Sequence, residues 1–285
     1  MFFTMLSLIN EGDEVLYPNP GFPIYESMIN YVGGVPVPMQ LHESKEFSID
    51  IEEVESKITS KTKLMILNSP NNPCGSIITK NDLEKLAELS IKHDIYVMSD
   101  EIYIRFLYEG KHESITQFQG MVDRTIILDG FSKTYAMTGW RIGYGIMPEN
   151  LASQMGKLMA NSVSCTSSAT QIAAIEALDG SQDEPNKMVQ EFKRRRDIIV
   201  NGLNNIKGIS CQMPKGAFYV FPNVKETGMS SRHFADNLLQ EAGVACLAGE
   251  DFGKYGDGFV RFSFANSSEN IQKALDRIDS FVQKI

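Results

Sequence analysis

From Glu14 to about Tyr144 the sequence alternates short β-rich runs with polar stretches of helical periodicity, and few folds accommodate that alternation. Strand, helix, strand in repeated succession is the pattern of βαβ units wound around a mostly parallel sheet. Four runs read as strands: Glu14–Tyr17, Leu64–Leu67, Ile95–Ser99 and Thr125–Leu128. Between the second and third, Thr79 is placed to cap a helix with Asp82 three residues on, and Leu83, Leu86, Ala87 and Ile91 then fall on one helical face. That segment reads as a crossover helix. Open parallel sheets bind ligands beyond the carboxyl ends of their strands, so the polar and aromatic residues just after each run are where chemistry should collect.

After Gly145 the character changes. A helical region rich in Ala, Ser and Met is expected from Glu149 to Leu178, and Gly180-Ser181-Gln182-Asp183-Glu184-Pro185 reads as a linker. The helix that follows carries Lys193-Arg194-Arg195-Arg196, read as a solvated face. Strand-like segments at Ala217–Phe221 and Phe259–Phe264, with helical ones at Ser231–Glu241 and Glu269–Val282, complete an α+β unit. The fold class is therefore α/β: a large, mostly parallel unit over 1–180 and a smaller α+β unit over 181–285.

Charge and cysteine usage narrow the partners. With 27 basic against 36 acidic residues the formal charge is −9, which argues against nucleic acid and against a membrane surface, and leaves small molecules. Cys74, Cys165, Cys211 and Cys246 lie far apart without a CxxC pair, and the four histidines lack the i, i+4 spacing of a helical metal pair. No metal and no disulfide framework is expected, and a reducing cytoplasm fits. The apolar opening Met1–Ile9 lacks the basic region and cleavage site of a signal peptide and reads as the tail of a buried helix. No stretch approaches the about 20 apolar residues of a membrane span.

Gly143-Tyr144-Gly145 lacks the third glycine of a dinucleotide fingerprint, and neither a Walker lysine loop nor a Gly-x-Ser-x-Gly elbow is present. Four motifs in fixed order carry more weight. They are Asn68-Ser69-Pro70-Asn71-Asn72-Pro73-Cys74-Gly75, Ser99-Asp100-Glu101-Ile102-Tyr103, Gly130-Phe131-Ser132-Lys133 running on to Thr138-Gly139-Trp140-Arg141, and Val260-Arg261-Phe262-Ser263. Together they resemble the class I and II aminotransferases, the aspartate aminotransferase-like enzymes that use pyridoxal 5'-phosphate. The resemblance runs from about Leu6 to the C-terminus.

What the resemblance implies can be written residue by residue. Lys133 would hold the cofactor as a Schiff base and, once freed by the substrate amine, shuttle a proton as general acid and base. Asp100, at the end of a buried strand, would face the protonated pyridine nitrogen, since a carboxylate there needs a cation. Asn72 and Tyr103 would hydrogen-bond the phenolic oxygen, Phe22 would stack on the ring, and Arg141 would grip the phosphate. Arg261 would clamp the substrate α-carboxylate with its planar fork. Cys74 replaces a threonine common in the family, an imperfection in the match that leaves the contacting residue Asn72 unchanged.

The implied reaction is ping-pong transfer of the amino group of an L-amino acid (aspartate, aromatic or alanine) to a 2-oxo acid such as 2-oxoglutarate, in a homodimer. A carbon–sulfur lyase or synthase on the same fold, and a non-catalytic homologue, remain as alternatives. Family members carry a further N-terminal portion that includes a phosphate-cradling turn at a helix N-terminus. Read as N-terminally truncated, the chain as written is expected to bind the cofactor weakly and to turn over poorly.

Overall fold

The computed structural model describes residues 1–284. Six strands, β1 (Glu14–Asn19), β2 (Val35–Gln40), β3 (Thr62–Asn68), β4 (Tyr96–Asp100), β5 (Thr125–Gly130) and β6 (Gly143–Ile146), form one sheet in the order β2-β1-β3-β4-β5-β6. All neighbouring pairs are parallel except β5 with β6. The chain leaves β1 toward β2 and returns on the other side as β3, so the strand order reverses between β1 and β3. Beyond the carboxyl ends at such a reversal a crevice opens.

Burial on both faces explains the strand sequences. Leu64, Met65, Ile66 and Leu67 of β3 are all buried, the continuous apolar run of a central parallel strand. Their side chains alternate between two layers: Met65 and Leu67 join Leu16 and Val97 on one face, and Leu64 and Ile66 join Val15 and Met98 on the other. The first layer is covered by α3 (Ile51–Lys57) and α4 (Lys80–Lys92), the second by α1 (Phe2–Leu8) and α2 (Ile24–Tyr31). Thr79 caps α4 as expected, accepting from the amide of Asp82 at 3.2 Å, and Leu83, Leu86 and Ala87 are buried. Ile91 departs from that face and is exposed, while Leu89 and Ser90 turn inward near the helix end.

The strands expected at Glu14–Tyr17, Leu64–Leu67 and Thr125–Leu128 extend by one or two residues at one or both ends, whereas those expected at Ala217–Phe221 and Phe259–Phe264 shorten to Tyr219–Val220 and Val260–Ser263. The strand expected at Ile95–Ser99 runs Tyr96–Asp100, so Asp100 is the last ladder residue. β2 was not anticipated. Pro36 and Pro38 lack the N–H of a central strand, and β2 lies at the edge where that loss is tolerated. The helical region after β6 is two helices, α5 (Glu149–Ser162) and α6 (Ser168–Asp179), broken at 163–167.

The second unit packs α7 (Asp183–Asn204), α8 (Ser231–Ala242) and α9 (Ser268–Val282) on a small antiparallel sheet of β7 (Tyr219–Val220), β8 (Leu247–Ala248) and β9 (Val260–Ser263), ordered β7-β9-β8. Asp183, Glu184 and Pro185, expected in a linker, form the first turn of α7. Acidic residues suit a helix N-terminus, and proline is tolerated where N–H groups have no intrahelical partner. The basic run is also corrected in part. Arg194 is exposed and pairs with Glu191, but Arg196 is buried: it donates to the Pro214 carbonyl at 3.1 Å and lies 4.9 Å over the Tyr108 ring.

Tyr103, Phe106 and Tyr108, just after β4, join the same apolar cluster as α7, α8 and α9. The two units also meet at Gly75, whose carbonyl accepts from Lys215 and Gly216 at 2.9 and 3.0 Å. Gly75 has φ +70°, and a Cβ there would lie 2.4 Å from Cβ of Pro214. Gly75→Ala is expected to destabilise the chain by about 2–4 kcal/mol, combining left-handed strain with overpacking, measurable as a lowered urea midpoint. Among the described residues, no helix is long and apolar enough to cross a membrane and no cluster of three or more metal-ligating side chains occurs.

Candidate active site

The ends of β1, β3, β4 and β5 converge on a cavity of about 830 Å³. All seven residues singled out in the sequence line it: Phe22, Asn72, Asp100, Tyr103, Lys133, Arg141 and Arg261. The first six come from the large sheet and its loops, and Arg261 arrives from β9 of the second unit.

Asp100 is 6% exposed and forms no ion pair with another side chain among the described residues. Burial raises its pKa, partly offset by the Tyr25 hydroxyl on Oδ2 at 2.6 Å, the Ile102 amide on Oδ1 at 3.4 Å and, more weakly, the positive charge of the Met1 amino group. Tyr25 was missed by the sequence reading. It is fully buried in the first turn of α2, three residues after Phe22, whose ring meets its own edge to face at 5.9 Å. The i, i+3 spacing was the available signal, since a helix opening at Pro23 brings both rings to one face.

Tyr25→Phe removes a charge-assisted bond to a buried carboxylate. The expected outcome is a loss of about 2 kcal/mol in unfolding free energy at neutral pH and a further rise in the Asp100 pKa, checked by denaturation at several pH values.

Lys133 follows β5 in a compact turn in which the Thr138 hydroxyl donates to the Ser132 carbonyl at 2.9 Å. Its Nζ makes no hydrogen bond or ion pair among the described residues and stands 6.0 and 5.7 Å from the ring centres of Tyr103 and Phe218. Its pKa is lowered by burial first and by the nearby Arg261 and Arg141 guanidinium groups second, with Asp100 pulling the other way. A lysine so placed has a larger neutral, nucleophilic fraction near pH 8 than a surface lysine. Arg141 is exposed at the rim, with φ +55° and its Nη1 donating to the Thr138 carbonyl at 2.8 Å.

Asn72 is held by its amide, which donates to Asn68 Oδ1 at 2.9 Å, while Asn68 Nδ2 donates to the Asp100 carbonyl at 3.1 Å. The Asn72 Oδ1 in turn accepts from Arg261 Nη1 at 2.9 Å. Arg261 lies between two aromatic faces, 4.4 Å from the centre of Tyr219 and 4.7 Å from that of Phe252. The Tyr103 hydroxyl, whose pKa burial pushes up, is 3.1 Å from the Tyr219 hydroxyl. Tyr219 and Phe252 were also missed: Tyr219 lies within the strand expected at Ala217–Phe221 but in none of the four motifs, and Phe252 ends a short 3-10 turn with no periodicity to read.

Two neighbouring carboxylates are already saturated. Glu101 accepts from Ser99 and Ser114 and pairs with His112 at 2.8 Å, and Asp129 accepts from the Gly130 amide and the Tyr144 hydroxyl. That leaves Asp100 as the buried carboxylate without an ion-paired side chain, the Met1 amino group acting on it only from beyond ion-pair distance, Lys133 as the amine without an acceptor, and two guanidinium groups around them.

Comparison with known proteins gives the arrangement a family. The class I and II aminotransferases match residues 2–278. An aspartate aminotransferase of Pyrococcus abyssi is 40% identical, the match covering 98% of this chain and 72% of the relative. An aromatic-amino-acid aminotransferase of Thermococcus litoralis is 38% identical over the same shares. The crystal structure of an aromatic aminotransferase from Pyrococcus horikoshii superposes with a TM-score of 0.96 at 38% identity, over 99% of this chain and 76% of that one. With a family match over residues 2–278 and similarity over nearly all of its own length, the chain belongs to the class I and II aminotransferases, enzymes that transfer amino groups.

Proposed function

We propose that the chain holds pyridoxal 5'-phosphate at Lys133 and moves the amino group of an L-amino acid to a 2-oxo acid such as 2-oxoglutarate. The observation that carries this reading is the pairing of complementary deficits in one cavity: an amine without an acceptor at Lys133 and a buried carboxylate without an ion-paired side chain at Asp100. The donor set fits the cofactor group by group. Asp100 suits a protonated ring nitrogen, Lys133 an aldehyde, Arg141 a phosphate, Asn72 and Tyr103 a phenolic oxygen, and Phe22 the ring face.

Bound pyridoxal phosphate supplies an electron sink for the charge that develops at the substrate α-carbon. The chain's own residues do the rest. Arg261 fixes the α-carboxylate through its fork, which orients the α C–H bond. Lys133 takes the proton from that carbon and can return one on the same face. Asp100 holds a proton on the ring nitrogen. Aspartate, aromatic residues and alanine are the donors in view, the first two named for the relatives above and alanine for an aminotransferase of Pyrococcus furiosus that is 35% identical.

A large unit over 1–180, a small unit over 181–285 and a homodimer belong to the same proposal. The exposed apolar residues Ile172, Ile175 and Leu178 of α6 support self-association. The test is to incubate the protein with pyridoxal phosphate, reduce with borohydride, map the labelled peptide, and analyse products from each amino acid with 2-oxoglutarate. Label on Lys133 with glutamate formed is the expected result. Label elsewhere, or ammonia and pyruvate without glutamate, would overturn it.

A further inference from the structure

Tyr219 touches both halves of the site, although it has no part in the motifs that mark it. Its position follows from the small sheet. Tyr219 of β7 pairs with Ser263 of β9, and Arg261 lies two residues along β9 from Ser263, on the same face and diagonal to Tyr219. The ring is therefore brought under the guanidinium, 4.4 Å away, with Phe252 on the far side at 4.7 Å. At its other end the Tyr219 hydroxyl meets that of Tyr103 at 3.1 Å.

Among the described residues neither hydroxyl has another hydrogen-bond partner, so the two share one bond and one proton stays free. The surroundings decide which. The cation over the Tyr219 ring draws electron density from it and makes its hydroxyl the stronger donor. Tyr103 feels the negative charge of Asp100 more than the opposing charge of Arg261, which makes its oxygen the better acceptor.

We propose that Tyr219 is a positioning residue for amino transfer: its ring face sets the plane of the Arg261 guanidinium, and its hydroxyl donates to Tyr103 so that the Tyr103 proton is free to point into the cavity. The inference rests on the proposed cofactor site for its second half only. The grip on a substrate carboxylate and the donation to the cofactor's phenolic oxygen then depend on one side chain from the second unit.

Two variants separate the halves. Tyr219→Phe keeps the ring and removes the hydroxyl; Tyr219→Leu removes both. Calorimetric binding of 3-phenylpropionate to the cofactor-free protein is expected to be within twofold of the parent for Tyr219→Phe and about tenfold weaker for Tyr219→Leu. In protein loaded with pyridoxal phosphate, the pH midpoint of the visible absorption band is expected to rise by about 0.5 to 1 in Tyr219→Phe. Weaker donation leaves more negative charge on the phenolic oxygen, and the neighbouring proton is held more tightly.

Unchanged carboxylate binding in Tyr219→Leu, or an unmoved midpoint in Tyr219→Phe, overturns the proposal. Equal weakening in both variants also overturns it, since the ring would then not be what holds Arg261. Failure of the cofactor reading is distinguishable: the parent protein would give no borohydride label on Lys133, while the calorimetric comparison, which uses no cofactor, would still decide the role of the ring.

Discussion

Lys133→Ala is expected to abolish borohydride-stable attachment of pyridoxal phosphate and to lower amino transfer by about 10⁴-fold, the scale of a lost general acid and base. The fold should survive. Lys133 is half-buried and its Nζ has no polar partner among the described residues, so its removal leaves no orphaned group. Equal thermal midpoints for variant and parent, with the activity gone, would place the loss in the chemistry. The pH dependence of the parent carries the same assignment. Cofactor capture needs the neutral amine, so its rate should climb with pH to a midpoint below the ordinary lysine value of 10.5. Arg261→Leu removes one of the cations that depress that midpoint and should move it up, whereas Asp100→Asn removes the opposing carboxylate and should move it down. A midpoint at or above 10.5, insensitive to both variants, would mean that another lysine captures the cofactor.

The large sheet was legible because its information is local. Unbroken apolar runs at Leu64–Leu67 and Ile95–Ser99 report burial on both faces, and the cap at Thr79 marks where a helix starts. What failed was of two kinds. Edge and end positions depend on which neighbour is absent, so β2 with its two prolines and the outward turn of Ile91 follow from topology that no window of sequence contains. Arg196 looked like its neighbours in a basic run, but two positions along a helix, about 200° of rotation, separate solvent from core, and only the packing of α7 against the Tyr108 region shows which arginine faces inward.

The site divides in the same way. Residues that follow strand ends could be found by motif, because their chemistry is tied to a turn: Asp100 after Val97–Ser99, Lys133 after β5, Asn72 in the loop after β3. The side chains that orient them come from distant stretches. Tyr25 reaches Asp100 across 75 positions and Tyr219 reaches Tyr103 across 116. A tyrosine in an apolar surround has the composition of any core residue, so apart from the i, i+3 spacing of Phe22 and Tyr25 little in its own neighbourhood distinguishes it.

Asp100→Asn separates what the carboxylate does for chemistry from what it costs the fold. Amide and carboxylate have nearly the same shape: with the amide oxygen toward the Ile102 N–H, the side-chain NH2 takes the place of Oδ2 and donates to the Tyr25 hydroxyl oxygen. The amide cannot hold a proton on a pyridine nitrogen, so amino transfer should fall by about 10³-fold, the loss of one preorganised electrostatic partner. Stability of the cofactor-free chain should move the other way. Burial raises the Asp100 pKa in the folded chain, so the folded state holds this proton more tightly than the unfolded state, whose value is near 3.8. The group's contribution is then fully present below 3.8 and is lost as pH rises through the folded-state pKa, because the ionised form must sit buried without an ion-paired side chain. Asp100→Asn has no such titration. Its urea midpoint should match or exceed that of the parent at pH 7 and the difference should shrink toward pH 4, while added pyridoxal phosphate should stabilise the parent more than the variant. A variant that is less stable than the parent throughout, yet keeps its transfer rate, would show that Asp100 serves the fold and not the cofactor.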